Sequence, residues 1–388
     1  MVNIIVLKGG SQYSTLRVFS DDIANGFRLL GHRATVVDLL EPAFNRQLEA
    51  AVREGCDLAF GVNGYGCDLK TAKGVLWDTL GIPFVIALVD HPLVHMDRLV
   101  AVQNCLITCT DRTHVEFISE YFKGAKASGF LPLAGCRRNL PTKPFQERSI
   151  PLFFSGSYLE PDEIRKEWQG HGEISQVMDE IAEALLGDVD LTLLGATKRI
   201  LSGRGIQPEH PAFDQLLRNS VFPDRWVRAV RRKKIIRGLA TAGIEVHCYG
   251  SGWERSGLEL ERLHLSGVVD FFKSLDLMAD AKAVLNILPN FPQGPHDRCF
   301  SAMLNGAVAA SDSNRYLRAE FKDGSDILLF DWQEPESLAE ALRELFADPL
   351  GWQAIADRGR GIAEARHMWT HRAETALGLV EGWLGKSL

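Results

Sequence analysis

No apolar run in this 388-residue chain approaches the roughly 18 residues that a membrane span requires, so no segment is expected to cross a bilayer. Paired cysteines are missing too. Seven cysteines, an odd number without a close CxxC pair, exclude a disulfide framework and a cysteine zinc site, and most should be buried thiols. There is no excess of positive charge. A net charge of −7 argues against generic nucleic-acid binding, although the run Arg228, Arg231, Arg232, Lys233, Lys234 is locally basic, either as a solvated helix face or as an anion-facing one. A Walker loop (GxxxxGK[ST]), a GxGxxG fingerprint and a hydrolase triad are all absent. The opening Met1-Val2-Asn3-Ile4-Ile5-Val6-Leu7 enters a strand with neither a basic region nor a small-residue cleavage site, so a cytoplasmic location is expected.

What is present is a globular composition, 46% hydrophobic and 24% charged, on a chain long enough for two cores. Short apolar runs alternate with helical periods, which predicts parallel sheets covered by helices. Strands are expected at residues 3–8, 33–39, 57–62, 83–89, 105–109 and 129–133, with helices at 16–30, 44–54 and 113–121. Residues 136–148 are polar and proline-bearing, as an interdomain linker would be. A second strand-turn unit starts at 151–155 with Gly156-Ser157 after it, and helical patterns then fill 163–186 and 213–242. The βα rhythm returns with strands at 244–248, 265–269, 284–288 and 327–330, and helices at 335–346, 351–365 and 370–384 close the chain. The fold class is therefore α/β, two Rossmann-like doubly wound domains facing a cleft, with a helical insertion at 160–242 in the second. The expected limits are 1–140, 141–370, and a C-terminal helix at 371–388 packing back on the first domain. Ligands in this architecture bind beyond the carboxyl ends of the strands.

The most informative stretch is VLNILPNFPQGPHDRCFSAMLNGAVAASD, Val284 to Asp312. It reads as a buried strand, a Gly/Pro loop, a short helix opening at His296-Asp297-Arg298, a turn at Asn305-Gly306 and a second strand. A helix N-terminus offers unpaired N–H groups, and Arg298 adds a cation whose planar fork suits phosphate oxygens. Asp297 either joins the ligand site or satisfies first-turn N–H groups, and Asp312 either faces the ligand or caps a helix.

The block Tyr249 to Asp312, with GSGW, VVDFF and HDRCFSAMLNGAVAASD, resembles the C-terminal half of group-1 glycosyltransferases, most closely a spore-maturation-protein-like branch. RHMWTHRA (Arg366 to Ala373), VLKGGSQYSTLRVF and VDHPLVH are similar to that branch as well. The resemblance implies a GT-B fold, with a nucleotide-sugar donor on the C-terminal domain and an acceptor on the N-terminal one. Many retaining members carry two glutamates where this chain has Gln293 and Ser301, so donor identity and stereochemistry do not carry over.

On that footing Arg298 would hold the diphosphate with help from His296, Asp297, Asp312 and the Gly156-Ser157 turn. Gly250, Gly252 and Trp253 would line the base pocket, Trp253 by stacking. Asp90 and His91 are the candidate catalytic base pair, with His95 and Asp111 as alternates, and Gly9, Gly10, Asn63 and Tyr65 would shape the acceptor wall. No cofactor or metal is called for, since no DxD carboxylate pair lies at a strand end. The expected activity is transfer of a hexose to a polar acceptor on a glycan, lipid or protein. A nucleotide-sugar 2-epimerase and a non-catalytic nucleotide-sugar-binding protein are the alternatives, and oligomeric state is not readable.

Overall fold

The computed structural model describes residues 1–122, 127–139 and 141–386. It divides into two compact units, Met1–Cys136 with Glu364–Leu388, and Arg137–Ala363. The expected limits at 140 and 370 thus move to Cys136 and Ala363; residue 140 itself lies outside the described residues.

In the first unit, strands β1 (Asn3–Lys8), β2 (Arg33–Asp38) and β3 (Leu58–Val62) are followed by a two-stranded ribbon, β4 (Lys70–Thr71) and β5 (Gly74–Val75). Then come β6 (Phe84–Leu88), β7 (Cys105–Cys109) and β8 (Ala127–Phe130). The six long strands are parallel in the order β2-β1-β3-β6-β7-β8. Every residue of β3, β6 and β7 is buried, as central strands covered on both faces must be. The chain crosses from one side of β1 to the other between β2 and β3, so the switch point lies between β1 and β3.

The last helix, Trp369–Leu384, belongs to this unit and packs on the helix Thr15–Leu29. Their approach is close at Gly26, where a Cβ would fall 2.8 Å from the carbonyl oxygen of Trp369. The Phe19 and Trp369 rings lie 5.0 Å apart, and the buried Arg372 donates from Nε and Nη2 to the carbonyl of Leu133.

The second unit holds β9 (Ile150–Ser155), β10 (Val246–Tyr249), β11 (Leu263–Ser266), β12 (Ala281–Asn286), β13 (Val308–Asp312) and β14 (Leu328–Phe330). They are parallel in the order β11-β10-β9-β12-β13-β14, with the switch point between β9 and β12. Between β9 and β10 lie the inserted helices Pro161–Arg165, Glu173–Gly187, Leu193–Ser202, Phe213–Asn219 and Val221–Thr241. The helix expected over 163–186 is broken, because Gly170 and Gly172 both adopt positive φ, 83° and 58°. The helix at Leu193–Ser202 was not anticipated; Thr192 caps it by accepting from the N–H of Gly195.

The segment read as a linker is anchored instead. Arg148 is 3% exposed and donates to the carbonyls of Ala281 and Lys143, while Phe145 packs on Trp352. Its polar residues bond to the second unit, which is why low hydrophobicity there did not mean a free tether.

Candidate functional site

Each unit gathers its candidate residues at the carboxyl end of its own sheet. In the second unit the decisive side chain is Arg298. The helix Asp297–Leu304 starts at His296, whose Nδ1 accepts from the N–H of Arg298 at 3.2 Å. The Arg298 side chain then reaches back to the switch point. Nη1 donates to Asn286 Oδ1 at the end of β12 (3.0 Å), and Nη2 donates to the carbonyl of Ser155 at the end of β9 (2.7 Å). Its guanidinium lies 5.3 Å from the Phe154 ring centre. A guanidinium has five N–H groups, so the fork retains donors after these bonds.

A second arginine joins it from the inserted helix Val221–Thr241. Arg232 donates from Nη1 to the carbonyl of Ser157 and lies over the same Phe154 ring at 5.6 Å. Burial above all, then the charges of Arg228 and Arg298, make its protonated form harder to hold. The same guanidiniums, after burial, drive the His296 imidazole well below its ordinary value, so the ring is neutral at pH 7. Like charges converging on one partly dry spot are stabilised by an anion between them.

The basic run is therefore not one solvated face. Arg231 is buried and bonds to Asn290 Oδ1 and to the carbonyl of Leu185, Lys233 pairs with Glu160, and Lys234 lies over Trp332. The sequence left the run open between a solvated and an anion-facing role without separating its members; Arg232 takes the anion-facing position, while Arg228 lies 3.6 Å from Asp224 Oδ2. A cavity of about 530 Å³ flanks the same helix, lined by Trp226, Val230, Lys233, Arg237 and Pro335. It includes neither Arg232 nor Arg298.

Three donor-side expectations change. Trp253 is 1% exposed, packed against the tilted Tyr158 ring and edge-on to Phe154, with Nε1 donating to the carbonyl of Gly156 at 2.8 Å. It shapes the loop from inside and offers no free face to a base. The N–H of Gly156 donates to the carbonyl of Tyr249, and that of Tyr158 to the carbonyl of Ser251, so the Gly156-Ser157 turn extends the sheet. Gly156 has no N–H left for a phosphate, while Ser157 Oγ accepts from Ser251 Oγ at 3.2 Å. Nor is the helix opening at Asp297 an open anion cradle. His296 takes one N–H, and the buried Asp297 carboxyl sits beside it, its pKa pushed up to about 6 by burial against the opposing pull of Arg298.

Gly250 and Gly252 both have positive φ, 144° and 88°, and their backbones abut the carbonyls of Gly156 and Tyr158. Asp312 is not a helix cap. Oδ1 accepts from the N–H of Leu288 at 2.7 Å, tying β13 to the loop after β12, and Asn314 caps the next helix.

In the first unit the structure brings Asn63, Asp90 and His95 together. Asn63, in the left-handed region at φ 49°, accepts from the N–H of Val89 and donates from Nδ2 to Asp90 Oδ2 at 2.9 Å. His95 Nε2 lies 3.6 Å from the same oxygen, and about half of the Asp90 side chain, 48%, is exposed. An oriented carboxylate with an open face suits a proton acceptor. His91 is held differently: Nδ1 accepts from the N–H of Leu93, and its ring packs on His114 and Phe117. Asp111 is fully buried and caps the helix Arg112–Tyr121 through the N–H and Oγ1 of Thr113, which removes it as an alternate base.

Tyr65 lies directly against Gly9 and under Arg98, whose guanidinium is 5.0 Å from its ring centre and donates to the Asn63 carbonyl. Gly10 adjoins Leu40. Arg98 was not singled out in the sequence, where nothing marks it.

Comparison with known proteins agrees with this architecture. The pattern of a family described as glycosyl transferase-like matches residues 225–378. No curated protein sequence matches. Among solved structures, HepE of Anabaena, in complex with UDP and glucose, superposes with a TM-score of 0.56 at 14% identity, over 98% of this chain and all (100%) of that one. Sucrose-phosphate synthase from Thermosynechococcus elongatus gives 0.53 at 12% identity, over 99% of each chain. A DNA-modifying β-glucosyltransferase, solved with and without uridine diphosphoglucose, gives 0.56 at 8% identity, over 97% and 99%. At such identities the likeness is one of fold. The chain has the GT-B fold, two parallel six-stranded sheets in Rossmann-like units. Among the described residues no helix is long and apolar enough to cross a membrane.

Proposed function

We propose that this chain is a glycosyltransferase that moves a hexose from a uridine diphosphate sugar to a polar acceptor, within the spore-maturation-protein-like branch that its motifs resemble. The observation that carries the reading is the pair Arg298 and Arg232, held on the carbonyls of Ser155 and Ser157 at the switch point of the second sheet. Preorganised guanidiniums at a strand-end crossover are suited to a departing diphosphate, whose charge grows as the glycosidic bond breaks. They supply that stabilisation from the protein itself. Asp90, oriented by Asn63, would take the acceptor's proton, and Tyr65 with Gly9 would form the wall beside it. The named structural neighbours include two solved with uridine nucleotides, which supports uridine as the base. Nothing observed favours the epimerase or the non-catalytic alternative.

The test has two parts. Calorimetric titration with UDP and a panel of UDP- and GDP-sugars should give binding by the wild type that weakens in Arg232→Ala. Asp90→Asn should keep that binding while losing transfer to an acceptor and donor hydrolysis. A panel without any binding would sink the reading, and sugar interconversion without acceptor would move it to the epimerase.

A further inference from the structure

The outer part of the second sheet carries a cluster that the donor site does not use. His247 on β10 and His264 on β11 are register partners in a parallel pair, and Glu245 precedes His247 by two residues. Alternation puts Glu245 and His247 on one face, and neighbouring strands spaced about 4.8 Å apart set His264 beside them. The ring centres of the two histidines lie 4.6 Å apart. Glu245 Oε1 is 2.9 Å from His247 Nε2 and 3.3 Å from His264 Nε2, and one ligand atom from each of the three residues falls within 4.8 Å of the others.

We propose that Glu245, His247 and His264 form a binding site for one divalent transition-metal ion, zinc above all. Ligands held about 2.0–2.1 Å from a tetrahedral zinc stand roughly 3.3 Å from one another, close to the separations found here. Two imidazoles and a carboxylate are a borderline donor set, suited to zinc, nickel or copper; magnesium and calcium select oxygen donors alone. Three protein ligands leave a fourth position for water. The side chains are open enough for entry, 36% exposed at Glu245, 23% at His247 and 46% at His264. Cys248, next to His247, is buried on the opposite face, so no thiolate belongs to the set. The ion would join the edge strand β11 to β10, whose carboxyl end leads into the Gly250–Trp253 loop. This proposal does not depend on the function proposed above.

The test uses the full chain freed of metal by chelator dialysis. Zinc titrated calorimetrically should bind at one equivalent per chain and raise the thermal midpoint. Cobalt substituted for zinc should give weak visible bands of a nitrogen and oxygen environment, without the intense near-ultraviolet band of a thiolate. His264→Ala and Glu245→Gln, both at partly exposed positions, should lose the one-equivalent binding and the thermal shift while their far-ultraviolet circular dichroism stays that of the wild type. Absence of stoichiometric uptake, uptake unchanged in both variants, or a thiolate signature would each overturn the proposal.

Discussion

Arg298 Nη2 lies 2.7 Å from the carbonyl oxygen of Ser155, so a side chain from the helix after β12 closes the end of β9. Stability and ligand binding therefore meet in one residue. Removing the guanidinium strands the Ser155 carbonyl and the fully buried Asn286 amide oxygen. Arg298→Ala should lower unfolding free energy by about 2–4 kcal/mol and weaken UDP binding by more than about tenfold. Arg232→Ala removes one carbonyl contact at the edge of the same spot. It should cost about 1 kcal/mol or less in stability but still about tenfold in UDP affinity, since a charge-assisted bond to phosphate is the stronger interaction. Denaturant unfolding and calorimetry on both variants separate the two effects; equal affinity in Arg232→Ala and wild type would remove it from the site.

Trp253 belongs to the fold and not to base selection. Trp253→Phe keeps the ring packing with Tyr158 but leaves the Gly156 carbonyl without its donor, a loss of about 1–3 kcal/mol. The ratio of affinities for UDP and GDP should stay unchanged. A shifted ratio would put the indole back against the ligand.

Gly9 is required by contact with Tyr65. A Cβ there would lie 2.2 Å from Tyr65 Cγ, so Gly9→Ala must displace the ring and should destabilise the first unit by about 1–3 kcal/mol. If the clash is the cause, Gly9→Ala combined with Tyr65→Ala should cost less than the sum of the two single changes. Additive costs would mean that the strain lies elsewhere.

Most strands were legible because central parallel strands are buried on both faces, so β3 and β6 appear as unbroken apolar runs, β7 is interrupted only by Thr108, and β13 is apolar up to its closing Ser311-Asp312. The edge strand β11 was placed late by two residues, since only Leu263 of its four residues is buried. Arg298 stood out because it opens a helix after a strand and a Gly/Pro loop. Arg232 was visible only as one member of a basic run, because its particular role depends on the insertion returning its helix to Ser157, a relation no local pattern encodes. Trp253 misled for a related reason. Position after a strand suggests a ligand wall, while the side chain turns inward to bond a carbonyl nearly a hundred residues earlier in the chain, at Gly156.

Asp312 yields a prediction in pH. Burial raises its carboxyl to about 6, against the opposing pulls of the Leu288 N–H and of Arg231 and Arg298. A carboxyl whose folded value lies above its unfolded one of about 4 contributes stability at low pH, and that contribution is lost as pH rises through 6. Asp312→Asn keeps the shape and still accepts from Leu288, but has no proton to lose. Relative to that variant, the wild type should lose up to about 3 kcal/mol of unfolding free energy between pH 4 and 7, at about 1.36 kcal/mol per pH unit. Asp297 and Asp22, raised to about 6 by burial as well, shift both proteins equally and cancel in the difference. Urea unfolding of the two proteins across that range measures it. A difference flat in pH would mean that Arg231 and Arg298 keep Asp312 ionised throughout the range.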